Sequence, residues 1–237
     1  MKEQIAEASL PFEARMGGVL YLIIIIGGLF GAGYVPSTIV VHGDAAATVN
    51  NVLTNEALYR FALGVHIIVV LCNIPLAVIF YDLFKFSNKS LALLLMLFML
   101  VAATIEGVSL LNNFVPLILL QCAEQSAATM SVEQLQATTY MHFLLQEIGF
   151  NLSLAFFGCY CLLAGYLIFR LRVLPRITGL LLATGGACYL INSFVTFLVP
   201  EFPVDLLPYI FIPCFFGEAA VCLSLLLQGV NVEQKAI

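Results

Sequence analysis

Six long apolar runs succeed one another along this chain, covering Gly17 to Val41, Ala57 to Phe84, Leu91 to Leu120, Thr139 to Phe169, Ile177 to Val199 and Leu206 to Gln228. Each reaches the roughly 20 apolar residues that carry a helix across a bilayer. The pattern therefore predicts an all-α polytopic membrane protein, a six-transmembrane-helix bundle forming one domain over residues 1–237. The segment Met1 to Arg15 is polar and contains Pro11. The run that follows is longer than the apolar region of a cleavable signal peptide, so it is expected to persist as the first span. Between the first two spans, Asp44 followed by Ala45, Ala46 and Ala47 reads as the N-cap of a short interfacial helix.

Composition agrees with this pattern. The chain is 62% hydrophobic and only 10% charged, and its mean hydropathy of +1.06 lies far outside the range of soluble domains. Six spans use nearly all of the 237 residues, so no separate soluble domain fits. The net charge of −5 is spread through loops and argues against nucleic-acid binding. Of the seven cysteines, only Cys122 lies near a water-facing end. The others fall in apolar runs, where a thiol behaves as a small hydrophobe. Cys159 and Cys161 point roughly 200° apart on a helix, which is poor geometry for a disulfide or a two-thiol metal site.

Charge sets the orientation. Lys2 and Arg15 precede the first span, Lys85 and Lys89 join the second to the third, Arg170, Arg172 and Arg176 join the fourth to the fifth, and Lys235 is C-terminal. The opposite side carries Arg60 and otherwise Asp44, Glu56, Glu124, Glu133, Glu201 and Asp205. Both termini are accordingly expected in the cytoplasm.

The segments Phe156-Phe157-Gly158, Gly165-Tyr166-Leu167, Leu174-Pro175-Arg176, Tyr189-Leu190-Ile191-Asn192-Ser193-Phe194 and Gly217-Glu218, with Gly43-Asp44-Ala45-Ala46, carry a resemblance over nearly the whole chain. They are similar to a family of bacterial six-helix membrane proteins known only as a domain of unknown function. The resemblance implies a fold and a multi-pass place in the bacterial inner membrane. It transfers no chemistry.

Candidate chemistry comes from polar groups inside the spans, because a carboxyl group in hydrocarbon is costly unless compensated. Counting about 1.5 Å per residue from the cytoplasmic basic anchors puts Glu106, His66, Asn192 and Asn151 roughly 24–28 Å up, in the outer third of the hydrocarbon core. Residues seven apart share a helix face, so Glu106 aligns with Asn113. Glu147 and Asn151 share a stripe with Gly158 and Gly165. Polar stripes should turn inward. The expected site is an outward-facing polar cavity lined by His66, Glu106, Asn112, Asn113, Glu147, Asn151 and Asn192. Against this stands the plainer reading, that single Asn, Ser and His side chains glue helices together through hydrogen bonds worth about 0.6–2 kcal/mol.

Glu218 stands apart, near the midplane and five residues after Pro213. Pro213 and Pro75 are both expected to loosen their spans, and Glu218 then reads equally as a site residue or as a structural donor. Depth separates His142 from His66 by roughly 14 Å, which opposes a bis-histidine haem. No spacing supports a metal site, and no G-x-S-x-G, Walker or dinucleotide-binding pattern is present. Gly27 and Gly31 form one G-x-x-x-G, a packing groove first and the seam of a homo-oligomer second. The leading functional reading is binding or transport of a small amphipathic or lipid-like ligand, with membrane lipid as the other partner. The alternatives are a membrane-embedded enzyme using Glu106 or Glu147 with His66 as acid and base, and a sensor or accessory subunit.

Overall fold

The computed structural model describes residues 2–125, 131–199 and 207–227, and among these every regular element is helical. Helix α1 (Lys2–Gly28) continues through a π-helical turn (Leu29–Tyr34) into α2 (Val35–Ile39). Helix α3 (Ala45–Thr54) follows, then α4 (Glu56–Phe84) and α5 (Lys89–Ser109). A 3₁₀ segment (Leu110–Phe114) leads into α6 (Val115–Gln125), and the chain ends with α7 (Val132–Leu171), α8 (Arg176–Leu198) and α9 (Leu207–Leu227). Six of the described stretches are long and apolar enough to cross a membrane. The expected end residues Leu206 and Gln228, the loop acids Glu201 and Asp205, and Lys235 lie outside the described residues.

Local chemistry accounts for these elements. The Asp44 carboxylate accepts the Ala47 amide at 2.8 Å and caps α3, satisfying one of the donors that a helix start leaves open. The polar N-terminal stretch is helical from Lys2 onward, through Pro11. Helices α4 and α9 likewise run unbroken through Pro75 and Pro213. Proline removes one amide from the ladder, and neighbouring helices in a bundle restore what it costs. Helix α7 has 40 residues, about 60 Å, twice the thickness of a hydrocarbon core. Arg172 turns the chain after it with a positive φ of 55°.

The chain divides into two compact units, one of Met1–Ile25, Leu71–Ala103 and Asn151–Ile237, the other of Ile26–Val70 and Thr104–Phe150. The core of the first contains Tyr21, Phe80 and Tyr160, each wholly buried. Their rings meet edge to face, Tyr21 on Phe80 at 6.4 Å and Phe80 on Tyr160 at 5.7 Å. The core of the second gathers Val35, Ile39, Val52, Tyr59, Leu63, Leu110, Leu117 and Phe143.

Outside these cores, large apolar side chains such as Ile26, Leu71, Val108, Leu111, Ile191, Phe194 and Phe216 are more than half exposed. In water such a surface would drive aggregation; in a bilayer it is what a span presents to lipid.

The first unit is sealed by a seam of small residues. Asn151, Gly158 and Gly165 recur at seven-residue steps on α7, as do Gly179, Gly186 and Ser193 on α8. They meet in antiparallel order. The Ser193 hydroxyl donates to the Asn151 carbonyl at 2.9 Å. A methyl on Gly158 would lie 2.9 Å from the Gly186 carbonyl oxygen, and one on Gly165 would lie 2.5 Å from that of Gly179. Backbones approach this closely only without side chains.

Candidate functional site

His66 on α4 and Glu106 on α5 are both buried, at 6% and 8% exposure. Imidazole Nε2 and carboxylate Oε1 lie 2.6 Å apart. A proton must sit between them at that distance, whichever group carries it. Two exchangeable protons make the pair electrically neutral, and loss of one leaves a net negative charge within a span. The first span presses on the same turn: a methyl on Gly31, within the π-helical turn, would lie 3.4 Å from the Ala62 carbonyl and 3.6 Å from His66 Cβ. Turns of this kind recur at functional sites because they re-aim the residues around an extra backbone position.

After Glu106 the same span tightens into the 3₁₀ segment, which redirects Asn112 and Asn113. Asn112 donates to the Ser109 carbonyl at 3.0 Å, and its side-chain oxygen pairs with His142 Nδ1 at 2.9 Å. The Tyr59 hydroxyl donates to the Asn113 carbonyl at 2.7 Å. The facing side of α7 carries Thr139, His142 and Gln146, with Gly149 lying so close to Ser109 that no side chain would fit there. Three atoms in this region, Asn113 Oδ1, Thr139 Oγ1 and Gln146 Oε1, are buried and have no hydrogen-bond partner among the described residues. All these residues belong to the second unit.

The remaining sequence candidates fall in the first unit. Asn192 donates to Asn151 Oδ1 at 2.7 Å, both nearly inaccessible, within the seam already described. Glu218 on α9 accepts a hydrogen bond from Tyr189 on α8 at 2.6 Å. Glu147, expected to turn inward with Asn151, is instead exposed. Counted from Arg170 at the other end of α7, it lies roughly 35 Å along the helix, beyond a core about 30 Å thick, where no burial is required.

Sequence reading missed Thr139 and Gln146 altogether and used His142 only to argue against haem. Their signal was there, since 139, 142, 146 and 149 recur at the spacing of one helix face. Gly27 and Gly31 pack against Val69 and Ala62 of α4, so their groove is intramolecular. Among the described residues no three His, Cys, Asp or Glu side chains gather into a metal-binding group.

Lipid-facing apolar helices enclosing hydrogen-bonded polar side chains define a polytopic α-helical membrane protein. Within that class, the chain belongs to the family described as Domain of unknown function (DUF4386), whose model matches residues 16–229. No curated protein and no solved structure matches the chain.

Proposed function

We propose that this is a bacterial inner-membrane protein, with both termini cytoplasmic, that binds or transports a small amphipathic ligand in an outward-facing polar site around His66, Glu106, Asn112, Asn113, His142 and Gln146. The observation that carries the reading is the set of buried, unpartnered oxygens at Asn113, Thr139 and Gln146, in the same unit as a buried His–Glu pair. Buried polar atoms without partners are costly, and a site that keeps several of them calls for a guest.

Two of the three are amide oxygens, which only accept. The fitting guest therefore donates, through a hydroxyl or amino head group, and carries an apolar body. An acid–base enzyme would use the His66–Glu106 pair, but no further observation favours it. Asn151 and Asn192 satisfy one another and act as glue between spans.

Mass spectrometry of the detergent-purified protein tests this reading. A donor-bearing amphiphile should accompany the wild type and be lost from Gln146→Leu, with Asn192→Ala, in the other unit, as a fold control that retains it. If both carry only bulk phospholipid in equal proportion, the reading fails. Orientation is checked in a background without native cysteines: His42→Cys should react with an impermeant maleimide from outside the cell, and Ser87→Cys only after permeabilisation.

A further inference from the structure

Glu218 lies 11 residues into α9 from Leu207 and 9 from Leu227, about 16 Å and 14 Å from its ends and so close to mid-membrane. It is 8% exposed. The salt bridges among the described residues join Arg60 to Glu56, His66 to Glu106 and Lys85 to Asp82, so no Lys, Arg or His supplies a counter-charge to this carboxyl. The titratable groups that surround it are neutral ones. Tyr21 comes from α1, Tyr160 and Cys161 from α7, Tyr189 from α8, and Cys214 lies one turn back on α9 itself.

The tyrosines form a continuous set. Phe80 of α4 bridges Tyr21 and Tyr160, while Phe157 stacks on Tyr160 at 5.4 Å and meets Tyr189 at 5.6 Å. Tyr189 spends its hydroxyl on Glu218. The hydroxyls of Tyr21 and Tyr160 have no hydrogen-bond partner among the described residues, although both side chains are 0% exposed and both lie within electrostatic range of the Glu218 carboxyl. A phenol can donate to a carboxylate or turn a lone pair toward a cation.

We propose that Glu218 and the hydroxyls of Tyr189, Tyr21 and Tyr160 form a mid-membrane site for a small monovalent cation, either a proton or Na⁺, held by oxygen donors from four helices. Oxygen-only donor sets suit hard cations, and an intramembrane carboxylate near the midplane is where coupling ions are held in transporters. With a proton bound, the carboxyl is neutral and keeps the Tyr189 hydroxyl at hydrogen-bond distance, while the Tyr21 and Tyr160 hydroxyls face it from further off. With Na⁺ bound, the carboxylate supplies the charge and the phenols supply lone pairs. This site is separate from the ligand site proposed around His66 and Glu106 and does not depend on it.

The test uses the full chain in nanodiscs. Thermal unfolding is followed in NaCl and in choline chloride at matched ionic strength, and the carboxylic-acid C=O infrared band is followed across pH. If the cation is Na⁺, NaCl raises the melting temperature of the wild type, Glu218→Gln abolishes the rise, and Tyr160→Phe weakens the apparent Na⁺ affinity about tenfold. If it is a proton, NaCl has no specific effect, a titrating C=O band is present, Glu218→Gln removes it and Tyr160→Phe shifts its frequency. Tyr21→Phe and Tyr160→Phe retain the carboxyl and keep the test decisive should Glu218→Gln not fold. The proposal is overturned if the wild type shows neither response, or if the two tyrosine variants leave the response unchanged, as a purely structural cluster would.

Discussion

Gly165→Ala measures how much the α7–α8 seam contributes. The new methyl would lie 2.5 Å from the Gly179 carbonyl oxygen, 2.7 Å from the Ala183 amide nitrogen and 2.8 Å from Ala183 Cβ. Carbon–oxygen contacts between packed helices settle at about 3.3–3.6 Å, so the helices must part by about 1 Å. Both obstructing groups on the Gly179 and Ala183 backbone are fixed, and no flexible side-chain end can give way instead. A gap of about 0.5–1 Å forfeits a quarter to a half of each dispersion contact along the seam, and overpacking of this kind costs about 1–3 kcal/mol. Alanine also favours the helix over glycine by roughly 0.5–1 kcal/mol. Gly64→Ala, at a helical site with no atom within 4 Å of the new methyl, isolates that gain. Equilibrium unfolding in mixed micelles should therefore place Gly165→Ala about 1–3 kcal/mol below Gly64→Ala. Equal stability of the two variants would refute the close-packed seam.

Three further outcomes are expected. His66→Leu should destabilise the protein by about 3–5 kcal/mol in the same assay, because it leaves the buried Glu106 without its charge partner; Glu106→Gln, which keeps an oxygen facing the imidazole, should cost less. Asn192→Ala should cost about 0.6–2 kcal/mol, and a double-mutant cycle with Asn151→Ala should return a coupling energy, whereas additivity would show that the amides do not pair. Asp44→Ala should weaken α3 by about 1 kcal/mol, read as faster hydrogen exchange at the Ala47 amide with no change deep in the spans.

Hydropathy and charge made the six spans and the capped α3 legible, since both follow from local composition and from one side chain at Asp44. The π-helical turn at Leu29–Tyr34 and the 3₁₀ segment at Leu110–Phe114 left no such mark, because an apolar run reads alike whether its backbone bonds span three, four or five residues. Pro75 and Pro213, expected to loosen their spans, lie within helices assigned as continuous through them. Depth counting placed His66, Glu106, Asn151 and Asn192 at one level but said nothing of azimuth. Which groups meet depends on which spans adjoin, so His66 pairs with Glu106 and Asn151 with Asn192. The stripe of Asn151, Gly158 and Gly165 was readable on α7, but its counterpart on α8 emerged only from the packing.

The pairing of the buried polar side chains has a consequence for biogenesis. His66 and Glu106 lie on consecutive spans, as do Asn112 and His142, Asn151 and Asn192, and Tyr189 and Glu218. Each partner therefore follows the other out of the ribosome by one hairpin, and a carboxyl or amide leaving the insertion machinery need wait for only one more helix before its charge or dipole is met. A chain so wired can load its costly groups into lipid one hairpin at a time, in the order of synthesis.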